Sequence, residues 1–165
     1  MIFDINKFSL LLTKKFLQIN GATLHKVILC TQKLTIPFVK FIGFQIALIL
    51  KYMHSEGWIY RDLKATNVII DVEGIVKLVD LGFSKNIGKS KTNSVLGTYH
   101  AMPPEILDPQ GYDYSIDFFS FGIIIYELIH GKPPMGFLNS FDEVKEKYSG
   151  GIDLKNLENN DLKTL

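Results

Sequence analysis

A run of apolar residues at helical spacing, between Thr35 and Gly57, limits the possible folds of this chain more than any other sequence feature. Its members recur every three or four residues and therefore share one face of a helix: Phe38, Phe41, Ile42, Gln45, Ile46, Ile49 and Met53. Thr35 is suited to cap this helix, Pro37 suits its first turn, and Gly57 is expected to end it. We therefore predict a helix that packs one face against a core.

Two further helices are predicted nearer the C-terminus. One covers residues 115–129 and is closed by Gly131 and Pro133–Pro134. The other is short and amphipathic, and Ser140 with Glu143 forms a plausible capping box at its start.

Strand patterns are shorter and fewer. Residues 8–19 are typical of one or two short strands, and Asn20–Gly21 breaks that pattern. Residues 67–71 and 75–79 predict a hairpin in which Gly74 is free to adopt a positive φ. Because helical patterns dominate and the strands are antiparallel, the predicted fold class is α+β, mostly α.

Composition excludes some function classes. A chain of 165 residues fits one domain, and a formal charge of +1 favours neither a nucleic-acid nor a membrane partner. With Cys30 as the single cysteine no intrachain disulfide forms, which suits a reducing compartment. Charged residues interrupt the apolar N-terminus, so a signal peptide is not expected. The apolar runs 44–50 and 118–126 are too short to span a bilayer. We expect a soluble, cytoplasmic protein without a membrane span.

The residues with the clearest chemistry lie between Ile59 and Gly82, in the stretch IYRDLKATNVIIDVEGIVKLVDLG. Asp62 and Asn67 lie around one loop, and Asp80 follows the predicted hairpin. Oxygen ligands placed together in this way are suited to bind Mg²⁺ beside a hydroxyl group.

Four motifs in order give this region a family resemblance. YRDLKATN resembles the protein-kinase catalytic loop H-R-D-L-K-x-x-N, with Tyr60 in the first position; DLG resembles D-F-G; PPE resembles A-P-E. DYSIDFFSFGIIIYELIHGKPP resembles the buried kinase helix whose aspartate, here Asp117, holds the catalytic loop. The chain is most similar to cyclic-nucleotide-dependent serine/threonine kinases. The resemblance implies a truncated C-terminal lobe at residues 25–165, preceded by a remnant of the N-lobe and hinge at 1–24.

The resemblance also implies roles for individual residues. Asp62 would accept or orient the proton of the substrate hydroxyl, and Lys64 would stabilise charge on the γ-phosphate of ATP. Asn67 and Asp80 would hold Mg²⁺. Ile69 would form the floor of the adenine pocket, a role compatible with an ordinary core position in the hairpin.

Residues 84–105 are expected to form an extended activation loop. Ser94 stands where relatives carry a phosphorylated threonine, and its phosphate would bond Arg61 and Lys85. Thr98 resembles the residue that bonds the catalytic aspartate and lysine. Other hydroxyl residues of this flexible segment remain alternatives for phosphorylation: Ser90, Thr92 and Thr98.

The chain departs from the family pattern in several places. Leu81 replaces the phenylalanine of D-F-G and keeps an apolar plug next to Gly82, while Pro103 replaces the alanine of A-P-E. Glu105 would lose the arginine that pairs with it in relatives, because that arginine would lie beyond Leu165. A buried carboxylate without its partner costs roughly 3–5 kcal/mol. We therefore expect marginal stability and an exposed apolar face.

Nucleotide and substrate binding are expected to be altered as well. No G-x-G-x-x-G or V-A-I-K lysine occurs in the sequence, so the adenine pocket would lack its roof and activity of this chain alone would be low. Glu127 matches a residue that holds substrate arginines, but Thr66 and either Ala22 or Thr23 replace other acidic residues. With fewer carboxylates, electrostatic selection for substrate arginine is expected to be weaker.

Two functions remain open from the sequence. The chain is either part of an enzyme that uses Mg·ATP and protein substrates, with a possible regulatory subunit or domain, or an inactive kinase-like lobe that serves as a binding module.

Overall fold

Helix α2, Ile36–Ser55, forms the centre of the fold. The computed structural model describes residues 21–31 and 34–149. The helix begins after Thr35, whose side chain makes no capping bond, and Pro37 lies in its first turn. The predicted face is partly correct: Ile42, Ile46 and Met53 are buried, whereas Phe41 is 53% exposed. The buried stripe is rotated toward Val39, Gly43 and Leu50.

Helix α3, Ser115–His130, packs against α2 and confirms the second predicted helix. The two helices approach closely at Gly43, where a Cβ atom would lie 2.9 Å from Ile125 Cδ1. Helix α3 ends at Gly131, which has a φ of 76° and donates its N–H to Glu127 O over 2.8 Å. Ile124 and Leu128 of α3 are buried in the core.

A three-stranded antiparallel sheet packs against α2 through its last strand. Strands β1 (Gly21–Thr23), β3 (Val68–Asp71) and β4 (Val76–Leu78) are arranged in the order β1-β3-β4. The predicted hairpin between β3 and β4 is therefore confirmed, and Gly74 in its turn has a φ of 80°. The Gln45 side chain ties α2 to this turn, because its amide donates to Gly74 O and accepts from Val76 N.

A second antiparallel pair joins β2, Trp58–Ile59, to β5, Lys85–Asn86. Trp58 lies opposite Asn86 and Ile59 opposite Lys85. This pair fixes the chain immediately before Asp62 against the chain that follows Asp80.

Two shorter α-helices flank this central part of the fold in sequence. Helix α1, Leu24–Thr31, was not predicted; it buries Leu24 and Ile28. Helix α4, Phe141–Ser149, confirms the third predicted helix. Only half of its predicted capping box forms: Glu143 N donates to Ser140 Oγ, but the Glu143 carboxylate accepts from Asn139 N. The strands predicted within residues 8–19 lie outside the described residues. The described fold is mixed and mostly helical.

Helix α2 also has an exposed apolar side, formed by Phe41, Phe44 and Leu48. By length and composition alone α2 could cross a bilayer, since an 18-residue window has a mean hydropathy of 1.5. The expectation from sequence that no segment is long and apolar enough was therefore too broad. In this fold the opposite side of α2 forms the main core.

Candidate active site

The loop after β2 is held by one buried carboxylate from α3. Asp117 is fully buried and accepts hydrogen bonds of 2.8 Å from the backbone N–H groups of Tyr60 and Arg61. His54 Nε2 lies 2.8 Å from the same carboxylate. Arg61 has a φ of 71°, a left-handed conformation that is uncommon outside glycine and needs such support. The predicted contact of Asp117 with the loop is present, whereas His54 was not anticipated.

This loop conformation places Asp62 at the meeting point of three polar side chains. Asp62 is only 3% exposed, and its Oδ1 accepts from Thr98 Oγ1 over 2.7 Å. Its Oδ2 accepts from Asn67 Nδ2 over 2.8 Å and lies 3.0 Å from Lys64 Nζ. Lys64 Nζ also donates to Thr98 Oγ1 over 2.8 Å. The predicted contacts of Thr98 with the aspartate and the lysine are both present.

Asp80 lies on backbone that is joined directly to this loop. Val79 N donates to Asn67 O over 2.9 Å, and the Tyr60 hydroxyl donates to Val79 O. Asp80 itself is exposed and left-handed, with φ 58° and ψ 73°, and its Oδ1 accepts from Gly82 N over 3.3 Å. The residues predicted to bind metal, Asn67 and Asp80, are thus positioned by neighbouring backbone.

Tyr60 lies beneath these acidic groups. It is fully buried, and burial, followed by the charges of Asp62 and Asp80, raises the pKa of its phenol far above the usual range. Tyr60 therefore stays neutral and keeps its role as a hydrogen-bond donor. Leu81, the residue predicted as an apolar plug, packs partly buried against the main core.

The segment that carries Thr98 contacts the loop that carries Asp62. At Gly97 the backbone has a φ of 116°, and a Cβ atom there would lie 2.7 Å from Arg61 O. Upstream, Thr92 forms a backbone bridge with Tyr112, whose hydroxyl donates to Ser94 O. The predicted extended loop is therefore anchored at both ends of residues 92–98.

Arg61 and Lys85, the two cations predicted to bind a phosphate on Ser94, both have other hydrogen-bond partners. Lys85 Nζ donates to Thr92 Oγ1 over 3.0 Å, and Arg61 Nε donates to Phe83 O. Arg61 Nη1 is buried and has no hydrogen-bond partner among the described residues. Ser94 is partly buried. No bond joins Ser94 to either cation within the described ranges, so the proposed phosphate contact stays a prediction.

A cleft of about 220 Å³ opens beside the Asp62 cluster. Its lining includes His25, Lys64, Thr66, His100 and Glu127. Glu127 is 3% exposed, and His25 Nδ1 lies 3.9 Å from its carboxylate. Burial raises the pKa of Glu127, and His25 partly offsets that rise; burial and Lys64 lower the pKa of His100. Glu127 was predicted as a substrate-binding residue, whereas the two histidines were missed because no local pattern links them.

Two predicted residues have different outcomes. Ile69 lies in the middle of β3, opposite Thr23 and Lys77, and is partly buried; its proposed adenine contact stays a prediction. Glu105 was expected to be a buried carboxylate, and this is wrong. It lies in the first turn of a short 3₁₀ helix, Pro104–Leu107, with its side chain exposed to solvent, so the penalty for an unpaired buried charge does not apply.

A sequence model of the protein kinase domain matches residues 9–162. The chain belongs to the protein kinase family.

Curated relatives within this kinase family agree with the assignment. Over 112 residues, 67% of this chain, it is 44% identical to the human cGMP-dependent protein kinase 2, of which it covers 14%. Over 103 residues, 61% of this chain, it is 46% identical to developmentally-regulated protein kinase 1 of Dictyostelium discoideum, again covering 14%. It is 35% identical over 121 residues, 73% of this chain, to cAMP-dependent protein kinase catalytic subunit 2 of Drosophila melanogaster, covering 34%. The chain therefore spans at most about a third of these relatives.

Proposed function

We propose that the protein transfers a phosphoryl group from Mg·ATP to serine or threonine hydroxyls of protein substrates. The observation that carries this proposal is the environment of Asp62, a buried carboxylate that is held by Thr98, Asn67 and Lys64 at 2.7–3.0 Å. Phosphoryl transfer requires mainly positioning and neutralisation of charge, which fixed charged groups of this kind supply.

In this mechanism Asp62 orients the substrate hydroxyl and accepts its proton. Thr98 keeps the carboxylate in place, since its hydroxyl bonds both Asp62 and Lys64. Lys64 carries the positive charge that meets the transferred phosphoryl group. Lys64 Nζ lies beside the Asp62 carboxylate that accepts the proton. The proton acceptor and the positive charge that stabilises the phosphoryl group are therefore adjacent.

The donor set fits a magnesium ion. Asp80 offers an exposed carboxylate and Asn67 an amide, both of which present the hard oxygen atoms that Mg²⁺ prefers. When bound, the ion neutralises the negative charge of the phosphates. The backbone hydrogen bond from Val79 N to Asn67 O holds Asn67 next to the residue that precedes Asp80. The Tyr60 hydroxyl donates to the carbonyl oxygen of the same residue, Val79.

We further propose how the chain divides between the two lobes of the kinase fold. Residues 25–165 correspond to the large C-terminal lobe of the kinase fold and residues 1–24 to the end of the small lobe and the hinge. The pairing of β1 with β3 supports this, because it joins the segment before α1 to the strand that carries Ile69, the proposed floor of the adenine site. Cytoplasmic protein substrates, and regulation by a further subunit or domain, belong to the same proposal.

Ser94 is proposed as the site of activating phosphorylation. Arg61 Nη1 supports this: it has no partner among the described residues, a buried guanidinium N–H requires an acceptor, and a phosphate supplies three acceptor oxygens. Since Arg61 directly precedes Asp62, a bond there would order the loop that carries the catalytic carboxylate.

The test is phosphoryl transfer from γ-labelled ATP to a serine peptide by the protein and by its Asp62→Asn variant. Loss of the catalytic base is expected to lower the rate about 10²–10⁴-fold. Asp142→Asn, an exposed change on α4, serves as the matched control and should leave the rate unchanged. Equal rates for Asp62→Asn and the control would contradict the proposal.

The alternative function is a binding module without catalysis, and Mg·ATP separates the two. A ligand that binds the native state raises its melting temperature. We expect Mg·ATP to stabilise the protein and Asp80→Asn to abolish that effect. Stabilisation of neither protein would favour the binding module.

A further inference from the structure

The segment between β5 and Thr98 is held near its middle by one buried threonine. Thr92 is 4% exposed, and its backbone N–H donates to Tyr112 O while its C=O accepts from Tyr112 N, both over 3.0 Å. Its hydroxyl accepts from Lys85 Nζ over 3.0 Å. Because its backbone and its side chain are both hydrogen-bonded, Thr92 is a fixed point of this segment.

Lys85 is itself held on a strand before its side chain reaches Thr92. It lies in β5 opposite Ile59, a fully buried residue of β2 that comes shortly before Asp62. The hydrogen bond between the two side chains therefore closes residues 85–92 into a loop on the strand pair that leads to Asp62. Closing this loop limits the conformations of the exposed residues within it.

The second half of the segment begins from Thr92. Tyr112, which bridges Thr92, also donates its hydroxyl to Ser94 O. Further along, the Thr98 hydroxyl donates to Asp62 over 2.7 Å. Groups of the chain itself therefore hold the segment at its middle and at its end.

We propose that Thr92 is a positioning residue that keeps Thr98 at the catalytic site while Ser94 is unmodified. Its hydroxyl gives Lys85 an acceptor within the chain, so this cation does not need a phosphate to fix it in place. A phosphate on Ser94 would then bind Arg61 and stabilise a segment that is already in position. The inference rests on the proposed function, because it concerns how the proposed catalytic site is regulated.

The experiment measures hydrogen exchange at two backbone amides in the full chain with unmodified Ser94. The Tyr112 amide donates to Thr92 O and the Ala101 amide donates to Thr98 O, so their exchange reports opening at the middle and at the end of the segment. Thr92→Val keeps the side-chain volume and removes the hydroxyl. We expect both amides to exchange about three- to tenfold faster, which is the effect of one hydrogen bond on the opening equilibrium.

Three further variants isolate the cause. Lys85→Met removes the other partner at an exposed position, so it should fold and show the same faster exchange. Thr92→Ser restores the hydroxyl and should exchange like the unchanged chain. Lys89→Met, at an exposed lysine of the same segment, is the matched control and should have no effect. Combining Lys85→Met with Thr92→Val should add nothing to either change alone, since both remove the same contact.

A second readout separates positioning from a general loss of stability. In the phosphoryl-transfer assay, Thr92→Val and Lys85→Met should lower kcat and leave the KM for ATP unchanged. The reason is that Thr98 contacts Asp62 and Lys64, which act on the transferred group.

Two results would overturn the inference. One is unchanged exchange at Ala101 in both Thr92→Val and Lys85→Met. The other is equally fast exchange in Thr92→Ser and Thr92→Val, because packing rather than the hydroxyl would then hold the segment. Hydrogen exchange requires no turnover, so it is independent of the Asp62→Asn assay and either proposal can fail alone.

Discussion

The hydroxyl of Thr98 donates a 2.7 Å hydrogen bond to the carboxylate of Asp62, although 36 residues separate the two in sequence. The same hydroxyl accepts from Lys64 Nζ, so one small side chain orients both charged groups. The segment that carries Thr98 and the loop that carries Asp62 therefore share a single polar cluster.

Substitution of Thr98 should disturb this cluster. Thr98→Val removes the hydroxyl but keeps the volume, and leaves the buried Asp62 Oδ1 without its donor. We expect the free energy of unfolding, from urea denaturation, to fall by about 1–3 kcal/mol. Thr98→Ser restores the hydroxyl and should lose less. A larger loss for serine than for valine would show that the methyl group, rather than the hydrogen bond, supplies the stability.

Gly97→Ala should be more disruptive than its small size suggests. The new Cβ would lie 2.7 Å from Arg61 O, and the φ of 116° is unfavourable for alanine. We expect a loss of more than about 1 kcal/mol in the free energy of unfolding. Gly122→Ala is the matched control: it lies within α3 with nothing within 4 Å, and should gain about 0.5–1 kcal/mol. A neutral effect at Gly97 would indicate that the segment can move away from Arg61.

Asp117→Asn should loosen the catalytic loop. An amide has one acceptor oxygen, so at least one of the Tyr60 and Arg61 N–H groups loses its partner. Each unsatisfied donor costs about 1–3 kcal/mol. Chemical denaturation of the variant should show this loss, and Asp142→Asn, which removes an exposed ion pair with Lys145, should change stability by less than about 1 kcal/mol. Similar effects at both positions would contradict the role of Asp117.

Glu127 should make stability depend on pH. Because burial raises its pKa above 4.5, the folded chain takes up a proton at a higher pH than the unfolded chain. Ionised Glu127 therefore costs stability above the raised pKa, and that cost disappears as the pH falls toward the unfolded value. We expect Glu127→Gln to stabilise the protein near neutral pH, with a gain that shrinks in acid. Denaturation midpoints across this range measure the gain, and a gain that grows in acid would contradict it.

Phosphorylation of Ser94 should stabilise the fold through Arg61. Hydrogen bonds to charged groups contribute about 1.5–3 kcal/mol, and Arg61 Nη1 is buried without a partner among the described residues. Phosphoserine incorporated at position 94 should raise the melting temperature, whereas phosphoserine at the exposed position 90 should not. The gain should vanish in Arg61→Met; its persistence would assign the phosphate to other groups.

Sequence patterns predicted the elements that have strong periodicity or special turn residues. Helices α2 and α3 and the hairpin at Gly74 were predicted because their signals are local. Helix α1 was missed, since it is short, follows a strand directly, and has neither an acidic first turn nor a basic last turn.

The site was predicted only where an ordered motif specified it. The structure brings together the residues that the ordered motifs group: Asp62, Asn67, Thr98 and Asp117. His25 and His100 line the same cleft as Glu127 but come from separate elements, so no short pattern could identify them. The exposure of Glu105 likewise depends on how its helical turn sits on the surface, which composition and spacing do not determine.

The contact of Asp117 with Tyr60 and Arg61 also has a consequence for synthesis of the chain. The left-handed conformation of Arg61 depends on an acceptor that is translated 56 residues later. While the ribosome is still making the intervening residues, Asp117 is not available to hold that conformation, and local contacts alone do not stabilise it. The Asp62 cluster is therefore expected to assemble only after α3 has emerged from the ribosome, and a nascent chain that stalls between Thr98 and Asp117 carries the side chains of the cluster but no support for the left-handed conformation of Arg61.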